Sequence, residues 1–248
     1  MEAYALTDTG RVRERNQDYI FFSSDPVGGL ENLLLVADGM GGHNAGDYAS
    51  RFVVEELNTY VRLHQEFSPV KLLKEGISQA NERLYEKSLE RMDLSGMGTT
   101  LVAATAQDGI LYVANIGDSR LYLFRGGQLR QITRDHSYVE EMVAKGQMER
   151  NSTAYRRKKN IITRALGIEY SVEIDFFEEE LMPGDLVLMC SDGLSNMVEE
   201  ESMTEILSQN MSLKEKAKKL LEQANENGGY DNIAVIVAEP LVSEVGPC

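Results

Sequence analysis

The sequence predicts an α+β fold of four layers, two antiparallel sheets packed face to face with a pair of helices outside each. Strand-like runs fall into an early, a central and a late group, and two long amphipathic stretches separate the first from the second. Two shorter helical stretches then precede a last apolar strand. Turn dipeptides such as Asp108-Gly109 and Gly126-Gly127 join consecutive strands and make them antiparallel.

Residues 19–23 and 32–37 are short β-rich runs, and the second, NLLLVA, is apolar enough to be buried on both faces. Ala49, Phe52, Val53, Leu57, Tyr60 and Val61 share one helical face. Val70, Leu73, Ile77, Ala80 and Leu84 repeat the spacing, so two antiparallel helices cover a common surface. From Thr99 the period becomes that of strands. TTLVAATA, ILYVANI, RLYLF and QLRQIT, separated by Asp108-Gly109, Gly117-Asp118 and Gly126-Gly127, predict a four-strand meander. Residues 172–176 alternate as a further strand, and Pro183-Gly184 turns the chain into the apolar run LVLMC. Helices near 199–207 and through Leu213, Ala217, Leu220, Leu221 and Ala224 lead to a closing strand at 233–238.

The 248 residues hold no internal repeat and no Pro/Ser-rich linker, which predicts a single domain over 1–248. With 40 acidic and 25 basic residues the formal charge is −15, which argues against a nucleic-acid or anionic-membrane partner. Two cysteines, Cys190 inside an apolar run and Cys248, form neither a disulfide framework nor a zinc motif, so a reducing compartment fits. The stretch MEAYALTDTG lacks the basic and apolar regions of a signal peptide, and no run approaches the ~18 apolar residues of a membrane span. A cytoplasmic monomer is expected.

One arrangement recurs: an apolar strand that ends in an aspartate beside a small turn residue. It occurs at Asp38-Gly39, Gly117-Asp118 and Asp192-Gly193, and is mirrored where Asp231-Asn232 opens the last strand. Antiparallel neighbours bring strand starts and strand ends to one edge, so these carboxylates converge there. Converging carboxylates repel unless a cation neutralises them, and oxygen-only ligands select Mg²⁺ or Mn²⁺. Taken singly, an Asp-Gly after a strand is usually a turn; Asp108-Gly109 is read as purely structural.

Longer strings carry the specificity: Arg13-Glu14-Arg15-Asn16-Gln17-Asp18, Val36-Ala37-Asp38-Gly39-Met40-Gly41-Gly42-His43, Met97-Gly98-Thr99-Thr100, Gly117-Asp118-Ser119-Arg120, Ser191-Asp192-Gly193 and Gly229-Tyr230-Asp231-Asn232-Ile233. In this order they resemble the metal-dependent Ser/Thr protein phosphatases (PPM, or type 2C) in their compact bacterial form, from about Thr7 to Ala238. The resemblance implies hydrolysis of phosphoserine and phosphothreonine in proteins by a metal-activated water, opposing a eukaryotic-like Ser/Thr kinase and its targets. It also implies two tightly bound Mn²⁺ or Mg²⁺ ions. Asp38 would bridge them, the Gly39 carbonyl would bind one, and Asp192 and Asp231 the other. Asp18 would act through metal-bound water, Asp118 would share a third, weaker ion with Asp192, and Arg13 would grip the substrate phosphate.

Elementary chemistry agrees with those roles. Phosphomonoester hydrolysis is among the slowest uncatalysed reactions and needs a strong electrostatic device. A planar arginine fork suits a phosphate dianion better than a lysine. A non-catalytic relative that binds a phosphopeptide or partner is the alternative, but such proteins lose metal aspartates or the phosphate arginine, and Arg13, Asp38, Asp192 and Asp231 are all present. A two-metal nuclease would need a basic surface around the site.

Some positions depart from the pattern. Met40 stands where many animal members carry a histidine proposed as general acid, and His43 is read as a supporting residue. His136 is read as a helix-start residue with Asp135 or Ser137 as cap, and Cys190 as core. Residues 146–160, with Arg156, Arg157, Lys158 and Lys159 in a row, match the family's mobile flap, which the following NIITRALG anchors. A charge run of this kind is most often a solvated surface; the alternative is that the four cations attract phosphopeptides.

Overall fold

The computed structural model describes residues 1–42, 45–65, 68–90, 92–150 and 152–241; His43, Cys248 and the side chain of Arg156 lie outside that description. The strands are β1 (Glu2–Asp8), β2 (Asp18–Ser23), β3 (Leu33–Met40), β4 (Gly98–Thr99), β5 (Leu101–Gln107), β6 (Ile110–Ile116), β7 (Arg120–Arg125), β8 (Gln128–Gln131), β9 (Asp175–Glu180), β10 (Leu186–Cys190) and β11 (Ile233–Glu239). The helices are α1 (Ala45–Leu63), α2 (Pro69–Glu90), α3 (Tyr138–Ala144), α4 (Thr153–Lys158), α5 (Asp192–Ser195), α6 (Glu200–Ser208) and α7 (Leu213–Glu226).

One sheet runs β1-β11-β10-β7-β8, the other β2-β3-β5-β6-β9 with β4 against β3, and every pairing is antiparallel. Successive side chains of a strand point to opposite faces, so each central strand feeds two apolar layers. Along β3, Leu33, Leu35 and Ala37 pack with α1 and α2, whereas Leu34 and Val36 pack with Val187, Met189 and Ile236 of the opposite sheet. Along β10 and β11, Leu188, Cys190, Val235 and Val237 meet Met203, Ala217 and Leu220 of the second helix pair. Three apolar layers between four structural ones explain the unbroken hydrophobic runs, each large buried side chain contributing about 1.5–3 kcal/mol. Cys190 is fully buried and free of any disulfide. Ser212 and Glu215 form a reciprocal cap that starts α7.

Four sequence expectations need correction. The N-terminal strand β1 was not anticipated; it pairs with β11 over its whole length as a half-exposed edge, which leaves little period-two signal. The expected meander divides between sheets. β5 and β6 pair in one, β7 and β8 pair in the other, and Gly117-Asp118 is a crossover rather than a hairpin. The strand expected at 172–176 lies at Asp175–Glu180, where its partner on β6 sets the register. The short helix α4 has no counterpart among the expected elements, whereas α3 starts where the sequence places a helix start, with Ser137 as cap, its side chain accepting from the Glu140 N–H.

Candidate metal centre

Strand register places the first two carboxylates. Asp18 and Asp38 are direct partners across β2 and β3, at the end of that strand pair to which Ser191 of the other sheet reaches. The backbone around Asp38 is pinned by two threonines. Its N–H donates to Thr100 Oγ1 at 3.0 Å, and its carbonyl accepts from Thr100 N–H and Thr99 Oγ1, each at 2.9 Å. Gly39 is required by packing: a Cβ there would lie 2.0 Å from the Gly46 carbonyl oxygen, which would push α1 off the sheet. Met40 closes β3 opposite Gly98 and offers no titrating group.

The other sheet supplies Asp192 and Asp231. Ser191, at the end of β10, donates to Asp18 Oδ2 at 2.6 Å and accepts from Ala234 N–H at 2.9 Å, so one hydroxyl ties the two sheets together at the acidic edge. Asp192 opens the one-turn helix α5, and Asn196 donates to its Oδ2 at 2.9 Å. Asp231 accepts at Oδ1 from the Asn232 N–H and at Oδ2 from Arg13, at 2.9 and 2.8 Å. Asn232 is buried and acts as a staple: its amide donates to the carbonyls of Thr9 and Arg15, and its Oδ1 accepts from Gln17 N–H at 2.8 Å. The loop carrying Arg13 is thereby fixed beside Asp231.

Burial is the first cause of perturbation in the acidic cluster, and mutual repulsion the next. Burial lifts Asp18 to about 8, against a hydrogen bond from Ser191, with Asp192 and Asp231 adding to the rise. Asp38 is held well above the carboxylate range by burial and by Asp18, Asp192, Asp118 and Asp231. Asp118 is raised to about 8 by burial and Asp192, and Asp192 to about 6 by burial and Asp231, with Lys159, Arg120 and Arg13 pulling it down. Asp18, Asp118 and Asp192 each keep a buried Oδ1 without a hydrogen-bond partner. Such orphaned anionic oxygens are costly unless something positive meets them.

These residues fit a hard divalent cation, the donors being all oxygen. Among the described residues no three acidic, imidazole or thiol side chains close into a ready-made cage.

On the far side of Asp118 and Asp192 lies a cavity of about 530 Å³, bounded also by Arg120, Arg150, Tyr155 and Lys159. Segment 146–160 reaches it through Glu140 of α3, which accepts from Arg150 at 2.7 Å and from the Tyr155 hydroxyl at 2.6 Å. Its far end is tied down as the sequence suggested: Tyr138 N–H donates to the Ile161 carbonyl, and Thr99 and Leu166 exchange backbone hydrogen bonds. Asn232, Ser191 and Glu140 were not singled out from sequence. Only the presence of Ser191 and Asn232 inside their strings hinted at them.

A four-layer sandwich whose two sheets present carboxylates at a common edge is the frame of a metal-dependent hydrolase. The model of the family described as protein phosphatase 2C matches residues 9–228, and the chain belongs to that family. The match stops just short of Asp231, but longer similarities include it. The serine/threonine phosphatase stp of Listeria welshimeri is 42% identical over 253 residues, covering 99% of this chain and 98% of that protein. Among solved structures, the serine/threonine phosphatase Stp1 of Staphylococcus aureus is 33% identical with a TM-score of 0.89, covering 96% of this chain and 94% of that one. The catalytic domain of the phosphatase PstP, solved in complex with two manganese ions, is 36% identical with a TM-score of 0.83, covering 95% and 96%.

Proposed function

We propose that this protein phosphatase removes phosphate from phosphoserine and phosphothreonine in proteins, with Asp38, the Gly39 carbonyl, Asp192 and Asp231 holding two Mn²⁺ or Mg²⁺ ions. Serine/threonine phosphatase activity is what its relatives' names state, and metal dependence accords with the manganese in a solved relative. The observation that carries the site assignment is the convergence of buried carboxylates from both sheets, three of them with an unpartnered oxygen. When bound, the ions supply an activated water and offset the phosphate's charge.

The chain's own groups do the rest. Arg13 stands with its guanidinium on Asp231, half-exposed, and is free to turn its fork to an incoming phosphate once a cation claims that carboxylate. Asp18, locked by Ser191 opposite Asp38, keeps a second anionic wall facing the cleft and orients water there. Asp118 and Asp192 share a third, weaker ion. The non-catalytic alternative is disfavoured because Arg13, Asp38, Asp192 and Asp231 are all present and the relatives are named serine/threonine phosphatases. We assign the chain 1–248 to one catalytic unit, acting as a monomer on phosphorylated targets of a eukaryotic-like Ser/Thr kinase in the cytoplasm. Consistent with that location, no described helix is long and apolar enough to cross a membrane.

Release of phosphate from a phosphothreonine peptide, followed with Mn²⁺ and again after exhaustive chelation, tests the proposal. Turnover with Mn²⁺ and none after chelation is expected; undiminished turnover without metal would refute it.

A further inference from the structure

The turn that carries Asp118 is clamped from outside the cleft. Gly117, with φ of +100°, has no side chain to anchor it, and its neighbour Asp118 is repelled by Asp192. His136, buried beneath this turn, holds Gly117 twice. Its amide donates to the Gly117 carbonyl at 2.9 Å, and its ring Nδ1 accepts from the Gly117 N–H at 3.0 Å.

A backbone amide only donates, so Nδ1 carries no proton and the neutral ring bears its hydrogen on Nε2. Nε2 faces Asp175 Oδ2 at 3.1 Å and Arg164 Nη1 at 3.0 Å. A guanidinium has no lone pair to accept with, so the Nε2–H donates to Asp175. Arg164 in turn donates to Asp175 Oδ1 at 2.7 Å and holds the carboxylate in place. The same histidine also ties in the end of the 146–160 segment, its carbonyl accepting from Thr163 N–H at 2.9 Å while Ser137 bridges to Ile162.

We propose that Asp175, His136 and Gly117 form a positioning relay that fixes the Asp118 carboxylate against the repulsion of Asp192, so that His136 and Asp175 govern the ion held at Asp118 without touching it. The inference rests on the reading of Asp118 as an ion ligand. The logic is that of carboxylate–histidine pairs that orient metal ligands, moved one step out: the ring grips the backbone beside the ligand instead of the ion. The remaining supports, Thr100 on Ser119 at 2.7 Å and Asp135 on Arg120, hold residues on the other side of Asp118, and Asn115 Nδ2 adds a longer bond of 3.4 Å to the Gly117 carbonyl, which leaves His136 the side chain that holds the Gly117 N–H.

Nitrogen-15 NMR of the metal-free protein is the first test: the His136 ring should show a protonated Nε2 and a bare Nδ1, and a proton on Nδ1 would overturn the relay. Calorimetric Mn²⁺ titration is the second. His136→Ala should weaken the weakest binding step by roughly 10- to 100-fold and leave the two tight steps unchanged. His136→Asn, whose Oδ1 stands where Nδ1 was, should recover most of it. Asp175→Asn should lose less than Asp175→Ala. Equal losses in His136→Asn and His136→Ala, matched by equal falls in melting temperature, would show ordinary packing and overturn the proposal. Asp118→Asn separates the two readings. If it titrates like the wild type, the ion assignment itself fails. If it loses the weak step while His136→Ala keeps it, the relay alone fails.

Discussion

Asp38 and Asp118 belong to the same acidic edge, yet the fold places them by different means. Asp38 sits inside a strand, paired with Asp18 of β2 on one side and held on the other by the Thr100 N–H and the hydroxyls of Thr99 and Thr100. Asp118 sits between strands, where the chain leaves one sheet for the other, and side chains contributed by 100, 135 and 136 hold its neighbours. Asp38 thus adds two threonine hydroxyls to a strand ladder, whereas the crossover at Asp118 depends on a histidine ring, an aspartate and a threonine from outside any ladder. In the proposed site, Asp38 is assigned to the two tight ions and Asp118 to the weaker third one.

The sharpest way to break this comparison is to remove charge without removing shape. Asp38→Asn or Asp231→Asn should abolish turnover, because neutral amides cannot hold the charge-neutralising centre; steady-state assays showing wild-type kcat in both would overturn the site. Next in size is Arg13→Ala. Loss of a charge-assisted hydrogen bond of about 1.5–3 kcal/mol lowers kcat/KM roughly 10- to 150-fold while calorimetry still finds the tight metal sites. An unchanged kcat/KM would leave Arg13 as no more than a partner of Asp231. Asp118→Asn should be milder, lowering kcat about tenfold with the fold and both tight sites intact, as for other groups acting one ion away from the chemistry. Loss of the tight sites in that variant would erase the distinction drawn here.

The smallest effect concerns the metal-free protein. Burial holds Asp18 and Asp118 near 8, far above the ordinary carboxylate value of about 4. The folded state therefore keeps protons that the unfolded chain has already released, and stability falls as pH rises from about 4 to about 8. Asp175 and Asp185 are shifted the other way by their arginine and histidine partners, so their contribution is complete above pH 4 and does not mask the trend. Scanning calorimetry in chelator should show a lower melting temperature at pH 8 than at pH 6, and Mn²⁺ should remove the difference. A flat profile in chelator would mean that water already solvates these carboxylates.

The same contrast explains what the sequence disclosed. Strands buried on both faces, β3, β10 and β11, read as continuous apolar runs, and the aspartates at their ends follow from them. The edge strand β1 shows no such run because one side of it is half-exposed. Turn residues announced a connection at Gly117-Asp118, but a turn looks alike whether it folds a hairpin or changes sheets; only the pairing of β6 with β9 and of β7 with β10 decides. Asn232 stood in plain view beside Asp231. Its work as a staple depends on Thr9, Arg15 and Gln17, more than 200 positions away, where no local pattern points to it.

The pairing of Arg13 with Asp231 spans 218 positions, and β1 closes on β11, the last strand of the fold. During synthesis at about 5–20 residues per second, Arg13 and Asp18 therefore wait roughly 10–40 s for their partner to be made. Until then the N-terminal loop has no Asn232 to pin it and the cleft has one wall. The second wall of the cleft and the staple of its N-terminal loop thus come from one late stretch of chain, Asp231-Asn232.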